Sequence, residues 1–268
     1  MSKTYKVTKV ESQKRPGRYN IYLNDEYAFP ISEEVLIKFA IFKGTELTSV
    51  LVEQIKAADS VSKLYGKAVD FISYRQRTEY EVRTKLQTLS ENEEAIESTI
   101  EKLKQIKLLD DENYANSYVR QIADGQAKGP QAGIRYLKQK GIAEVLITNA
   151  LDEFYPETTV RENATVLAQK LFDHQNRYPY NKRIEKAKLA LMRKGFGFDV
   201  IDQAISQIDA EIDEDEQSQL LKQAGMKLWK KYRAEEPYQR RQKLKQSLYR
   251  KGFDFDAIDD FVDEVERN

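Results

Sequence analysis

Clustered cations are the side chains in this sequence with the clearest ability to bind a partner. Residues 177–194 carry seven Lys and Arg against one Glu, and residues 222–251 carry eleven against two acids. Positive charge gathered in this way attracts phosphates or acidic protein surfaces. Between and after these segments, residues 199–216 have eight acids and no base, and residues 252–268 have seven acids and one Arg. The chain is neutral overall, with 44 bases and 44 acids, so its charge is segregated along the sequence.

Catalytic chemistry has few candidate residues. The sequence has no Cys and a single His, His174, which removes thiolate nucleophiles, thiolate metal sites and relays built on histidine. Two carboxylate clusters remain, at residues 110–112 and 213–216, and helix capping explains both. Neither has a nearby base, nucleophile or metal-ligand spacing. The sequence therefore predicts no catalytic residue, no metal, no cofactor and no enzymatic activity.

Three other positions could suggest a functional site, but each has a structural explanation. Lys128-Gly129-Pro130 lacks the full pattern of a phosphate-binding loop, so we expect Pro130 to begin a helix. His174, beside Asp173, is expected on the surface, and Trp229 is expected in the core.

The overall polarity predicts a cytoplasmic protein. The mean hydropathy is −0.70, and the first ten residues, MSKTYKVTKV, are too polar for a secretory signal. The sequence also has no long apolar run of the kind that spans a membrane. We therefore expect no membrane partner.

Two kinds of hydrophobic spacing predict the strands and helices that carry the charged residues. Residues 1–60 show short alternating segments around Tyr19-Ile21-Leu23, with turn chemistry at Asn24-Asp25, and predict a small β-meander followed by helices that begin after Ser32 and Thr48. After residue 60, Leu, Ile and Ala recur at helical spacing. The fold class predicted is mainly α with a small N-terminal β-containing domain.

The helical part repeats itself. Setting Leu137, Leu191 and Leu248 as zero, a glycine follows at +4 and an isoleucine at +10, which gives Gly141, Gly195 and Gly252, then Ile147, Ile201 and Ile258. An earlier copy has Leu86, Ile96 and Ile100, with Ser90 in place of the glycine. Four copies of a three-helix unit follow, at residues 61–111, 112–156, 157–213 and 214–268. We expect them to stack as an elongated, curved array.

Each copy is expected to turn in the same way. A basic helix ends at Lys-Gly, where glycine takes the left-handed conformation of a C-terminal cap. Asp199 and Asp256 are expected to cap the helices that follow in the third and fourth copies. Because equivalent helices lie side by side, the basic helices should line one surface and the acidic helices another. The alternative is that neighbouring basic and acidic helices only pair with each other and solvate the array.

Tyrosines accompany the cations. The basic segments are interleaved with Tyr74, Tyr80, Tyr136, Tyr178, Tyr180, Tyr238 and Tyr249. A basic groove with aromatic side chains suits a nucleic-acid backbone or an acidic protein filament. The pattern does not distinguish the two partners.

Several motifs together resemble one known family. The segments SYRQRTEYEVRTKL (73–86), LLDDENYANSYVR (108–120), KGP (128–130) and YLKQKGI (136–142) occur in the order and spacing typical of the RecX family of recombination regulators. The resemblance is strongest over residues 65–151, and the two later repeats match the family architecture more loosely. Gln76 and Thr78 depart from the family, which often has proline and serine at these places, so the stiffness of this loop differs.

The resemblance implies a modulator of the RecA recombinase that is not an enzyme. Members of the family bind the groove of the RecA filament on single-stranded DNA, reduce its ATP hydrolysis and strand exchange, and limit filament growth in DNA repair and the SOS response. It also implies contact roles for the cations of the basic helices. In the part most like the family these are Arg75, Arg77, Arg83, Lys85, Lys128, Arg135, Lys138 and Lys140. The later repeats extend the surface with Lys182, Arg183, Lys186, Lys188, Arg240, Arg241, Lys243 and Lys245.

Other functions stay open at this point. A stand-alone protein that binds single-stranded or duplex DNA would compete for the DNA itself, and its affinity would fall steeply with salt. A nuclease or NTPase lacks a recognisable site. We expect a monomer whose partners are the RecA filament and, directly or through RecA, single-stranded DNA.

Overall fold

The computed structural model describes residues 3–14, 16–209 and 213–267. Within these ranges the chain forms a small antiparallel sheet near its N-terminus and 13 α-helices, so the predicted fold class is confirmed. The chain divides into two compact units. One comprises Met1–Ala115 with Lys138–Leu146, and the other comprises Asn116–Leu137 with Ile147–Asn268.

The sheet has four strands in the spatial order β3-β2-β1-β4. They are β1 (Thr4–Ser12), β2 (Arg18–Leu23), β3 (Glu26–Ser32) and β4 (Glu46–Thr48). Asn24 and Asp25 join β2 to β3 with φ values of 51° and 72°, the left-handed conformations that a tight hairpin needs. The predicted turn is confirmed. The strand β4 was not predicted from the sequence, because three residues are too few to show an alternating pattern.

Two helices pack on this sheet. In α1 (Glu33–Lys38) the Val35 amide donates to the Ser32 hydroxyl, as predicted for a capping serine. α2 (Ser49–Ser73) begins after Thr48 and is 25 residues long. Its first half places Val52 and Ile55 in the core of the β domain, and its second half belongs to the core of the first helical repeat. One continuous helix therefore crosses the boundary predicted at residue 60.

Each repeat consists of a first, a middle and a third helix. The first helices are α2, α5 (Asp111–Asp124), α8 (Glu157–Asp173) and α11 (Glu214–Lys231). The middle helices are α3 (Glu79–Gln87), α6 (Pro130–Gln139), α9 (Tyr180–Arg193) and α12 (Pro237–Arg250). The third helices are α4 (Glu93–Gln105), α7 (Glu144–Phe154), α10 (Phe198–Ser206) and α13 (Phe255–Arg267). The leucines and isoleucines of the repeat frame are buried in all four copies.

The glycine of the frame ends a middle helix as predicted. Gly141, Gly195 and Gly252 have φ values of 76°, 90° and 93°, which an L-residue with a Cβ adopts only at a cost. The conformation turns the chain so that the next side chain returns to the core, where Ile142, Phe196 and Phe253 are buried. The glycine cap is therefore confirmed in three repeats.

The same glycine forms a joint with the preceding repeat. At one joint the amides of Gly129 and Gln131, at the start of α6, donate to the carbonyls of Lys194 and Gly195, at the end of α9, over 2.8 and 3.1 Å. The free N–H groups of one helix thereby satisfy the free C=O groups of another. A related joint brings the Thr78 hydroxyl to the Lys140 carbonyl at 2.7 Å.

The predicted caps of the third helices are wrong. α10 begins after Gly197, which has no side chain to accept a hydrogen bond from the first amides of the helix. Asp199 lies inside the first turn. In the fourth repeat it is Asp254 that accepts from the amides of Asp256 and Ala257. The acidic residues inside the first turn still complement the helix dipole.

Candidate partner-binding surface

The middle helices carry most of the cations predicted to contact a partner. α12 has no acidic residue, and α9 has Glu185 alone against five basic residues. Both helices are amphipathic, with Leu191 buried in α9 and Leu244 and Leu248 buried in α12. The structure divides these cations into three groups by what they contact.

The first group stacks on aromatic rings. In every repeat, a cation at or just before the start of the middle helix lies over an aromatic side chain of the first helix. The four pairs are Arg77 over Phe71, Lys128 over Tyr118, Arg183 over Phe172 and Arg240 over Trp229, at 4.0, 5.7, 3.8 and 3.2 Å from the cation to the ring centre. These contacts hold the first and middle helices together, so these four residues have a structural role in addition to any contact role.

The second group forms ion pairs, several of them between helices. Within the fourth repeat, Lys245 pairs with Asp259 at 2.6 Å and Arg241 pairs with Asp263 at 2.7 Å, which joins α12 to α13. Lys188 joins α9 to Asp202 of α10 in the same way. The alternative interpretation, in which basic and acidic helices pair with each other, therefore holds at these positions. The other paired cations are Arg75, Arg83, Lys138, Lys140, Lys182 and Lys243.

The third group has no carboxylate partner among the residues that the structure describes. Lys85 and Arg135 are exposed on α3 and α6. Lys186 lies over the ring of Tyr178 at 4.2 Å. The positive charges of Arg177 and Lys186 lower the pKa of the Tyr178 hydroxyl. Cations of this group are available to an anionic partner without first losing an internal pair.

Glu81 connects several of the predicted residues of the first repeat. Its carboxylate lies 2.6 Å from Lys140 Nζ, 3.3 Å from Arg75 and 3.7 Å from Arg77. It also accepts from the Thr78 amide in the predicted capping box. Burial opposes its ionisation, but these hydrogen bonds and cations outweigh burial and lower the pKa of Glu81.

The interleaved tyrosines differ in exposure. Tyr74, Tyr238 and Tyr249 are 86%, 74% and 65% exposed, and Tyr80 is also exposed. Tyr136 instead stacks on Tyr118 with ring centres 4.2 Å apart. Trp229 packs against the core of the fourth repeat, as predicted. The exposed tyrosines are the ones able to stack on a partner.

The carboxylate clusters and the remaining candidates are structural. Asp110 accepts from the Asn113 amide and Asp213 from the Glu216 amide, so both clusters begin helices as predicted. Pro130 is the first residue of α6, and His174 is exposed at the end of α8. No group of three metal-ligating side chains occurs in the described part of the chain.

Sequence reasoning missed two features of this surface. The aromatic partners of the stacked cations were not identified, although Phe172 and Trp229, like Arg183 and Arg240, are 57 residues apart and could have been found from the repeat. Arg250, exposed in the last turn of α12 beside Tyr249, was also missed.

None of the described helices is long and apolar enough to cross a membrane.

Comparisons with known families match most of the chain. The model for the regulatory protein RecX N-terminal domain matches residues 5–48. The first and second RecX three-helix domains match residues 65–103 and 110–151. The third three-helix domain matches twice, at residues 160–205 and 214–262. The third and fourth repeats thus resemble the same domain.

Individual relatives extend over nearly the whole chain. The regulatory protein RecX of Limosilactobacillus reuteri (strain DSM 20016) is 41% identical over 96% of this chain and 97% of its own length. That of Bacillus subtilis (strain 168) is 37% identical over 97% and 98%. A crystal structure of regulatory protein RecX, 41% identical, covers 76% of this chain and all of its own with a TM-score of 0.63. A RecX structure from Lactobacillus salivarius, 37% identical, covers 57% and 98% with a TM-score of 0.52.

Proposed function

The chain belongs to the RecX family of regulatory proteins, and we propose that it binds the RecA recombinase filament on single-stranded DNA and inhibits it. Binding would reduce ATP hydrolysis, strand exchange and filament growth, in DNA repair, recombination and the SOS response. The protein would act in the cytoplasm as a monomer. It would act by contact alone, with no catalytic step and no cofactor of its own.

The observation that supports this proposal is the recurrence of an unpaired cation on every middle helix. Lys85, Arg135, Lys186 and Arg250 have no carboxylate partner within the described residues, and each belongs to a different repeat. A partner with many negative charges can meet such a cation in each repeat. Both a DNA backbone and an acidic filament groove have that character.

The paired cations also contribute to this surface. Lys138, Lys188 and Lys243 have side chains 49%, 44% and 48% exposed, so water screens their ion pairs. Exposed pairs stabilise a protein by only about 0–1 kcal/mol. A partner with many anionic groups can therefore displace the internal carboxylates at little cost.

A charge-reversal variant tests the proposal. It carries Lys85→Glu, Arg135→Glu, Lys186→Glu and Arg250→Glu. The matched control reverses four exposed lysines outside the middle helices, Lys43, Lys67, Lys170 and Lys227. The measurement is the inhibition of ATP hydrolysis by a bacterial RecA on single-stranded DNA, with melting temperatures recorded for each protein.

The two variants should differ in potency. We expect the middle-helix variant to need at least about tenfold more protein for half inhibition, because four favourable charge interactions become repulsive. The control should inhibit as the parent protein does. Full inhibition by a folded middle-helix variant would contradict the proposed surface.

A stand-alone DNA-binding protein is the second candidate. The exposed rings of Tyr74, Tyr238 and Tyr249 favour it, because aromatic rings stack on unpaired bases. Affinity for single-stranded DNA without RecA, measured across salt concentrations, separates the two. A steep salt dependence, with inhibition that follows the fraction of DNA covered, supports this candidate. Inhibition that persists at salt concentrations where free DNA is not bound supports docking on the filament.

A further inference from the structure

The third and fourth repeats contain two copies of the same turn between a first and a middle helix. The repeats align with an offset of 57 residues, which aligns the start of α9 with the start of α12, and the same family domain matches both. In the third repeat the Tyr178 amide donates to the Gln175 carbonyl at 2.9 Å. In the fourth, the Glu235 amide donates to the Tyr232 carbonyl at 3.1 Å. Tyr178 and Glu235 therefore occupy corresponding places in the two turns.

A lysine of the middle helix reaches back to this place in both repeats. In the fourth repeat Lys243 Nζ lies 2.5 Å from the Glu235 carboxylate. In the third repeat the corresponding lysine, Lys186, has its Nζ 4.2 Å from the ring centre of Tyr178. The ring attracts a cation through its π face but carries no negative charge. The same lysine position is thus paired with a carboxylate in one repeat and with a neutral ring in the other.

A second cation adds positive charge at the turn of the third repeat. Arg177 is exposed, and its guanidinium carbon lies 5.2 Å from the centre of the Tyr178 ring. The fourth repeat has Ala234 at this position. The charges of Arg177 and Lys186 together lower the pKa of the Tyr178 hydroxyl. Neither cation has a carboxylate partner among the side chains that the structure describes, so the turn holds two positive charges where the fourth repeat holds one ion pair.

The groups at this turn suit a phosphate better than a carboxylate. A guanidinium, an ammonium and a phenol hydroxyl can all donate hydrogen bonds. A phosphate has acceptor oxygens in a tetrahedral arrangement, so it can accept from donors that approach from several directions, and arginine matches its geometry well. The Glu235 carboxylate, by contrast, has a single lysine as its partner. The additional donor in the third repeat is therefore best used by a ligand with more acceptor oxygens.

We propose that Arg177, Tyr178 and Lys186 bind a phosphate group in the backbone of single-stranded DNA. The phosphate takes the place that the Glu235 carboxylate takes in the fourth repeat. The corresponding turn of the fourth repeat does not bind a phosphate, because Glu235 already pairs with the lysine and repels a second anion. The proposal rests on the function proposed above, since it names the group of the partner that the basic surface binds in the third repeat.

The test measures DNA binding by the full chain without RecA. The probe is a fluorescein-labelled single-stranded oligothymidylate, and fluorescence anisotropy gives its dissociation constant across salt concentrations. Tyr178→Glu places a carboxylate beside Lys186, as in the fourth repeat. We expect the dissociation constant to rise at least about fivefold, and the slope of log affinity against log salt to become shallower by about 0.7, the value for one phosphate on a single strand. Thr158→Glu adds the same charge to the exposed start of α8 and should change the constant less than about twofold.

Two further variants test the site from both sides. Arg177→Gln changes an exposed side chain, so the fold stays intact, and binding should weaken about threefold. Glu235→Gln releases Lys243 in the fourth repeat and should make the salt dependence steeper by about 0.7, as a second phosphate is bound. The matched control is Glu153→Gln, an exposed acid of α7, which should leave both the affinity and the slope unchanged. Melting temperatures are recorded for every variant.

The outcomes separate this site from the proposed function. The site is overturned if the parent protein does not bind the oligonucleotide, or if Tyr178→Glu binds it as well as Thr158→Glu does. Inhibition of RecA is measured in parallel. If Tyr178→Glu weakens inhibition but not DNA binding, an acidic side chain of the partner protein occupies the turn, so the phosphate is wrong while the proposed function stands. If the parent binds DNA through this turn but does not inhibit RecA, the proposed function fails and the site stands.

Discussion

The guanidinium carbon of Arg183 lies 3.8 Å from the ring centre of Phe172, and its Nε donates to the backbone carbonyl of the same residue at 3.2 Å. The contact recurs 57 residues later, where Arg240 lies over Trp229 and donates to its carbonyl at 2.7 Å. Each arginine therefore adds a hydrogen bond to a carbonyl in the last turn of a first helix while it covers the aromatic ring. The start of the middle helix is fixed to the end of the first.

Removing this arginine should destabilise the third repeat. We expect Arg183→Gln to lower the free energy of unfolding by about 1–2 kcal/mol, since both the cation–π contact and a charge-assisted hydrogen bond are lost. Lys188→Gln, which removes only an exposed pair with Asp202, should cost less than about 1 kcal/mol. Urea unfolding followed by circular dichroism measures both. Equal losses would contradict the structural role of Arg183.

The glycine joint gives a second prediction. A Cβ on Gly195 would lie 2.4 Å from the Ala132 amide nitrogen, and the residue has a φ of +90°. Gly195→Ala therefore combines backbone strain with a clash against backbone, and we expect a loss of at least about 2 kcal/mol. Gly197→Ala is the control, because nothing lies within 4 Å of its Cβ and its φ is negative. Thermal unfolding that leaves both variants equally stable would contradict the joint.

Local features of this fold could be predicted because they depend on neighbouring residues. The Thr78 to Glu81 capping box and the left-handed Gly195 and Gly252 follow from spacing within a single turn. The cap at Asp256 was misplaced because Asp254 lies two residues before it and spacing does not choose between the two, and the cap at Asp199 was misplaced because the helix begins after Gly197.

The groups that each cation contacts could not be predicted in the same way. Arg183 was expected to contact a partner, and it remains a candidate, but its stack on Phe172 depends on how two helices pack. The pairs of Arg241 and Lys245 likewise require α13 to lie beside α12. Charge counted along a sequence shows where cations are, whereas packing decides which of them are left for a partner.

Acid should destabilise the first repeat partly through Glu81. Its pKa is lowered in the folded protein, so it contributes stability that is present above its ordinary value of 4.5 and lost as the pH falls through the folded pKa. Glu81→Gln should lower stability at pH 7 and reduce the loss of stability on acidification below pH 4.5. The exposed Glu101→Gln is the control. Urea unfolding at several pH values would contradict this role if the two variants gave parallel curves.

The contribution of Asp111 to stability should depend on pH in the opposite direction. Burial raises its pKa above 3.8, although its carboxylate accepts from the Glu79 amide at 2.9 Å. A raised folded pKa gives stability that is present below pH 3.8 and lost as the pH rises through the folded value. Asp111→Asn keeps an acceptor for the Glu79 amide without a charge, so it should stabilise the protein at pH 7. A variant less stable than the parent at pH 7 would show that the charge itself is needed.

The ion pair between Arg18 and Asp59 should hold the sheet to α2. Asp59 is 3% exposed, and its carboxylate accepts from Arg18 Nη1 at 2.6 Å and from the Ser32 amide at 2.8 Å. Arg18→Met leaves this buried carboxylate with less compensation, and we expect a cost of about 3 kcal/mol. Lys63→Met removes a third, 55% exposed partner of Asp59 and should cost less than about 1 kcal/mol.

Hydrogen exchange, followed by mass spectrometry over residues 4–32, measures where the Arg18 effect falls. Arg18→Met should speed exchange in the strands while the fourth repeat keeps its protection, because the pair lies inside the β domain and the helix that packs on it. Adding Asp59→Asn removes the uncompensated charge and keeps an acceptor for Ser32, so part of the protection should return. If the double variant exchanges faster than Arg18→Met alone, the penalty does not come from the buried charge, and packing of the Arg18 side chain would be the cause instead.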